Sequence, residues 1–144
     1  MSGTASAGYS ETPLPKKLGI KDGSTVHIAG GPVPSLPVQP TGGPAPYDVV
    51  LAFVTMDASL RAGITAWSTL ITPDGGLWIC WPKKTARKLV AAFAASDMTE
   101  DVVRDVVLPM GLVDNKVCAV DEIWSGLRVV WRVELRPAKR KAGT

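Results

Sequence analysis

Between residues 30 and 46 the chain reads GGPVPSLPVQPTGGPAP, with six prolines and four glycines. Proline removes a backbone donor and clashes with the preceding helical turn, and glycine is a poor helix former, so a regular helix is excluded here. The segment is expected to run as an extended surface loop. Whatever strand precedes it must therefore reach its successor without an intervening helix.

The strand before the loop is Thr25 to Ala29, which follows a short lead-in from Leu14 to Ile20 and a turn at Lys21-Asp22-Gly23. After the loop, DVVLAFVT from Asp48 to Thr55 has the continuous apolar middle of a strand covered on both faces in a parallel sheet. Leu60, Ile64, Trp67 and Ile71 then recur at helical spacing behind Asp57, with Pro73-Asp74-Gly75-Gly76 as the stop. Residues 57 to 71 are thus an expected amphipathic helix, and Leu77 to Trp81 is the next buried strand. Strand, helix and strand within so short a span make a parallel crossover unit.

Residues 85 to 95 are rich in helix formers and place Leu89 and Phe93 one turn apart. Thr99 opens a second amphipathic helix with Val102, Val103, Val106 and Val107 on one face, where Glu100 can pair with Arg104. Asn115 to Val120 reads as a strand. From Leu127 to Leu135 apolar and charged residues alternate with period two, the pattern of a half-covered antiparallel strand. The expected fold class is α/β: a three-layer, Rossmann-like sheet of about five strands, mostly parallel, with a C-terminal antiparallel hairpin. Residues 13–135 form the expected single domain, between a flexible stretch at residues 1–12 and a basic tail at residues 136–144.

The net charge is +3 over 144 residues, but it is unevenly placed. Residues 1 to 135 carry 12 Lys/Arg against 13 Asp/Glu, while Arg136, Lys139, Arg140 and Lys141 fall in the last nine positions with no acid. A neutral body offers no broad phosphate-binding face, so nucleic-acid binding is left to residues 136–144. No apolar run reaches the roughly 18 residues that span a bilayer. Two cysteines, Cys80 and Cys118, and one histidine, His27, cannot supply a four-ligand zinc site. The N-terminal stretch lacks the features of a signal peptide, so both thiols are expected reduced and the compartment cytoplasmic. Metal and cofactor are both expected to be absent.

From Asp48 onward the order of elements resembles the C-terminal half of the S-adenosylmethionine-dependent methyltransferase fold. In that superfamily the first strand leads into a glycine-rich turn and a helix that cradle the cofactor, then a strand ending in an acid for the ribose. Here Ala29-Gly30-Gly31-Pro32 enters the proline-rich loop, and no acidic strand end lies between residues 32 and 47. The stretches GYSETPLPKKLGIKDG, PDGGLWICWPKK and TEDVVRDVVLPMGLVDNKVCAVDEIWSGLRVVWR together resemble a family of small bacterial proteins, the domain-of-unknown-function 3052 family. The likeness covers residues 8 to 134 except the proline-rich loop and residues 85 to 96, and is most specific from Thr99 to Leu127. It implies a compact methyltransferase-like fold and brings no assigned catalytic residues.

Open parallel sheets take ligands beyond the carboxyl ends of their strands. Three such ends converge here: Ala29-Gly30-Gly31, Thr55-Met56-Asp57, and Trp81 to Lys84. Lys83, Lys84, Arg87 and Lys88 crowd the start of a helix, where cations are disfavoured unless an anion offsets them, so this is the candidate anion site. The bland reading is a solvated basic surface. Gly30 and Gly31 more readily read as a turn than as a phosphate cradle, and Asp57 as a helix cap than as a functional acid. A second candidate surface is Asp121, Glu122, Trp124 and Ser125, two acids beside an aromatic in a hairpin turn, weighed against a turn with Trp124 packed inside. No Ser-His-acid arrangement is evident, and His27 reads as an ordinary strand residue.

The leading expectation is a non-catalytic binding module on a degenerate methyltransferase-like scaffold, recognising an anionic small molecule or a protein partner. A small-metabolite enzyme with a lysine-lined anion site, using Asp57 or Asp121 as acid/base, is one alternative. A nucleic-acid accessory protein acting through the tail is another. An exposed edge on the first strand would invite a homodimer unless the loop or the lead-in covers it.

Overall fold

A computed structural model describes residues 12–136. Prolines 13 and 15 preset the backbone for one helical turn, α1, at Leu14–Lys17. Strand β1 spans Val26–Gly30 and β2 spans Tyr47–Phe53, with no helix between them. The proline-rich loop instead folds back along β1. The Val26 N–H donates to the Thr41 hydroxyl at 2.9 Å, and the Thr41 N–H donates to the Val26 carbonyl at 3.0 Å. The loop so covers the outer edge of β1 at the position where the strand starts.

Helix α2 covers Asp57–Ser68 and buries Leu60 and Ile64. It ends earlier than Ile71, because the Thr69 and Leu70 amides turn back onto the carbonyls of Ala66 and Trp67. Pro73 to Gly76 is not the connection between helix and strand. Strand β3 already begins at Ile71 and runs to Pro82, carrying those four residues as a bulge: Tyr47 faces Ile71, whereas Val49 faces Gly76. A bulge accommodates a strand proline, since its missing N–H is not called on by the ladder.

The helix expected at residues 85 to 95 is shorter. Helix α3 is Lys84–Leu89, Val90 is extended, and a separate 3-10 turn follows at Ala91–Phe93. Leu89 and Phe93 therefore do not share a face: Leu89 is 84% exposed and Phe93 is buried. Helix α4, Glu100–Val107, starts as expected, with the Thr99 hydroxyl accepting the Val102 N–H at 3.1 Å and Arg104 reaching Glu100 at 2.7 Å. Strands β4, Leu112–Ala119, and β5, Trp124–Trp131, close the sheet. The period-two run does not continue to Leu135, because β4 begins opposite Trp131 and leaves nothing beyond to pair with; Val133–Leu135 is an exposed 3-10 turn.

The sheet order is β1-β2-β3-β5-β4. Four strands point one way and β5 alone opposes them, so the pairings divide evenly, β1·β2 and β2·β3 parallel, β3·β5 and β4·β5 antiparallel. The C-terminal hairpin is present, with its second strand placed inside. Burial accounts for that choice: β5 hides Leu127 and Val129 on one face and Trp124 and Val130 on the other, whereas β4 exposes Asn115, Lys116 and Val117 and suits an edge. Helices α2 and α4 cover one face over Val50, Ala52, Leu77, Ile79 and Trp81. The other face, with Leu51, Phe53, Trp78 and Trp124, is covered by Leu18 at the end of α1, by Leu36 and Val38 of the loop, and by Phe93. The Trp78 indole N–H donates to the Leu18 carbonyl at 3.1 Å, fixing the lead-in across the sheet.

Candidate functional site

At the carboxyl end of β3 and the start of β5 lies a cleft of about 490 Å³. Trp81 and Met98 form its apolar wall, Lys83, Lys84 and Arg87 one rim, and Glu100, Asp101 and Arg104 the other, with Ser125 contributed by β5. Lys83 precedes α3, and its N–H donates to the Ile123 carbonyl at 2.8 Å, which ties this corner to the β4–β5 turn. Arg87 acts as a strap: Nη2 donates to the Pro82 carbonyl at 3.2 Å and to the Met98 carbonyl. Its Nε is buried without a hydrogen-bond partner. Lys83 and Lys84 have no ion pair among the described residues. Lys88 is exposed on α3 and does not line the cleft.

The acidic rim is already largely matched. Arg104 pairs with Glu100 at 2.7 Å, Asp101 at 3.3 Å and Asp114 at 3.1 Å, and the hydrogen bonds it donates to Asp114 and Glu100 push its proton affinity up. Four cations against two acids leave the lining positive, with the unmatched charge on the lysine side.

Gly30 and Gly31 stand elsewhere. The Gly31 N–H donates to the Phe53 carbonyl at 2.9 Å, extending the β1–β2 ladder, and Gly30 has φ of +74°. A Cβ at Gly30 would lie 2.2 Å from the Phe53 oxygen, so this glycine permits a close backbone approach. Asp57 is the first residue of α2, not its cap. Its carboxylate accepts from Arg61 Nε at 2.8 Å, while its own N–H donates to Asp97 Oδ1 at 2.7 Å. The cap is supplied from forty residues away, a contact with no local signal in the sequence.

The second candidate surface is dispersed. Asp121 Oδ1 accepts the N–H groups of Ile123 at 2.8 Å and Trp124 at 2.7 Å, holding the turn. Trp124 is 2% exposed and sits edge-on to Phe53 and Phe93, with ring centroids 5.1 Å and 5.4 Å away. Glu122 points to solvent and only Ser125 reaches the cleft. His27 stacks on Tyr47 at 4.7 Å. Cys80 and Cys118 each face Gly126 from opposite sides, about 10 Å apart across two strand spacings, too far for a disulfide. Burial pushes both thiols above their ordinary range. Among the described residues no group of three or more His, Cys, Asp or Glu side chains could hold a metal, and no helix is long and apolar enough to cross a membrane.

Missed in the sequence were Glu100, Asp101 and Arg104 as the far rim. Their helix pattern was plain, but its position over the end of β3 depends on the Arg87–Met98 strap.

Solved structures with a similar fold include LepI in complex with SAH and a substrate analogue, at a TM-score of 0.50 and 11% identity over 84% of this chain and 47% of that one. Magnesium protoporphyrin IX methyltransferase from Synechocystis PCC 6803 with bound SAM is similar at 0.49 and 14% identity, over 76% of this chain and 71% of that one. The same enzyme with bound SAH gives 0.46 and 15%, over 64% and 47%. The chain spans about half the length of two of these three structures. No family model matches the chain. No curated protein matches it either. At 11% identity the likeness to LepI is one of fold alone.

Proposed function

We propose that this chain is a non-catalytic binding module on a methyltransferase-like scaffold, and that it recognises an anionic small molecule at Lys83 and Lys84. The observation that carries this reading is the contrast between the two ends of the parallel strands. At β1 the Gly31 amide is consumed by Phe53 and the chain enters a helix-free loop, so a nucleoside cofactor has no cradle of helix amides. At β3 two ammonium groups with no ion pair among the described residues stand over an apolar wall in a cleft of ligand size.

The catalytic alternative is weakened by what its acids do: Asp57 is committed to Arg61, and Asp121 to the turn amides. We also place the chain with the domain-of-unknown-function 3052 family, supported by the stretch Thr99 to Leu127, which folds as α4, β4, the turn and the start of β5. Two free thiols support a reducing, cytoplasmic setting. The nucleic-acid reading rests on residues 136–144, of which all but Arg136 lie outside the described residues.

Native mass spectrometry of the protein purified without chelators or added ligands tests the proposal. The expected result is an anionic adduct on the wild-type chain that is lost from a Lys83→Gln/Lys84→Gln double variant. Identical adducts on the wild type and the double variant, or S-adenosylmethionine as an adduct, contradict the reading.

A further inference from the structure

On the sheet face opposite that cleft, Arg128 lies mid-strand in β5, between Trp78 of β3 and Lys116 of β4. Its guanidinium folds over the backbone of β3 at Gly76, where a Cβ would fall 2.4 Å from Nε. The side chain is half-buried, yet among the described residues it makes no hydrogen bond and no ion pair. Burial and the neighbouring Arg136 push its proton affinity down, with no carboxylate acting in the other direction. This half-buried planar fork of five donors has the geometry that holds an oxyanion with two parallel hydrogen bonds.

Two clefts meet at this guanidinium and share Gly19 and Lys21. The smaller, about 320 Å³, gathers Lys17, Lys21, Lys116 and Arg128 and no carboxylate. Two of those ammonium groups are held in place by carbonyls, Lys17 on Ala119 at 3.1 Å and Lys116 on Lys17 at 2.8 Å, which orients them without neutralising their charge. The larger, about 520 Å³, has Ser24, Thr72, Asp22 and Asp48 among its lining residues, groups that accept hydrogen bonds from hydroxyls. Asp48 is fixed there by the N–H of Thr25 on Oδ2 at 2.9 Å. Neither cleft offers an aromatic ring on which a base could stack.

A ligand matching both halves carries a compact polyanion at one end and hydroxyl groups at the other. We propose that the joined clefts bind a small phosphorylated sugar or polyol, with its phosphate on Arg128, Lys17, Lys21 and Lys116 and its hydroxyls toward Asp48 and Thr72. This site is independent of the Lys83 cleft.

Isothermal titration of the full chain with glucose 6-phosphate, ribose 5-phosphate, glycerol 3-phosphate, glucose and inorganic phosphate tests it. At least one phosphorylated sugar or polyol is expected to bind saturably, about tenfold or more tighter than inorganic phosphate, with glucose silent. Arg128→Gln is expected to weaken that binding about tenfold or more, and the Lys83→Gln/Lys84→Gln variant to leave it unchanged. Lys116→Glu, on an exposed edge position, is the second variant should Arg128→Gln fail to fold. The proposal is overturned if no phosphorylated probe binds below about 10 mM, if inorganic phosphate binds as well as the best of them, or if folded Arg128→Gln or Lys116→Glu binds like the wild type.

Discussion

At Gly30 the backbone, more than the residue type, decides the role. Beside Gly31 it suggested a phosphate turn, but its φ of +74° and the 2.2 Å approach of a Cβ to the Phe53 carbonyl make it a packing glycine. Gly30→Ala should lower stability by about 2 kcal/mol or more in urea unfolding, from the left-handed backbone and the clash together. A loss within about 0.5 kcal/mol would show that the β1–β2 approach is loose. Trp124 carries the same lesson in the other direction. Trp124→Ala should cost about 3–5 kcal/mol as a core truncation, while Glu122→Ala should stay within about 0.5 kcal/mol. Equal small effects would return Trp124 to the surface. The thiols make a third residue-scale expectation. Burial raises both in the folded chain, so on going up in pH the unfolded chain loses its thiol protons first. Their contribution is fully present below about pH 8.5 and declines as pH rises beyond it. Cys80→Ala should flatten the fall in unfolding free energy between about pH 8 and 10 relative to wild type; an identical slope would contradict the burial.

At the scale of elements, apolar spacing located α2, β2, the core of β3 and α4, because each has a face or a run that must be hidden. It failed where a distant partner sets the boundary. Strand β3 starts at Ile71 because Tyr47 is there to pair with it, and β5 stops at Trp131 because β4 begins opposite. Helix α3 ends at Leu89 since Val90 turns extended to bring Phe93 onto Trp124. The N-terminus of α2 depends in the same way on Asp97. Asp97→Ala should destabilise by about 1 kcal/mol, the loss of a cap, with the folded spectrum retained; no change in the unfolding midpoint would show that the Asp57 amide is satisfied by water instead.

Across the whole molecule, the sheet carries its two amphipathic helices, α2 and α4, on one face only. On the other, α1, the proline-rich loop and the Ala91–Phe93 turn supply the apolar side chains that the missing crossover helix does not. That much was readable from residues 30 to 46, since six prolines exclude a helix regardless of context. The lysine cleft was readable in its strand-end residues but not in its far rim. The Arg128 clefts were not readable at all, because they depend on register: Gly76, Arg128 and Lys116 are far apart in sequence and meet only when β5 lies between β3 and β4. The proposed reading turns on β1, which runs into a loop without a helix and so offers a nucleoside cofactor no helix amides. Titration of the purified chain with S-adenosylmethionine by calorimetry addresses it most directly. No saturable heat up to about 1 mM is predicted, whereas one-to-one binding in the micromolar range would contradict the account.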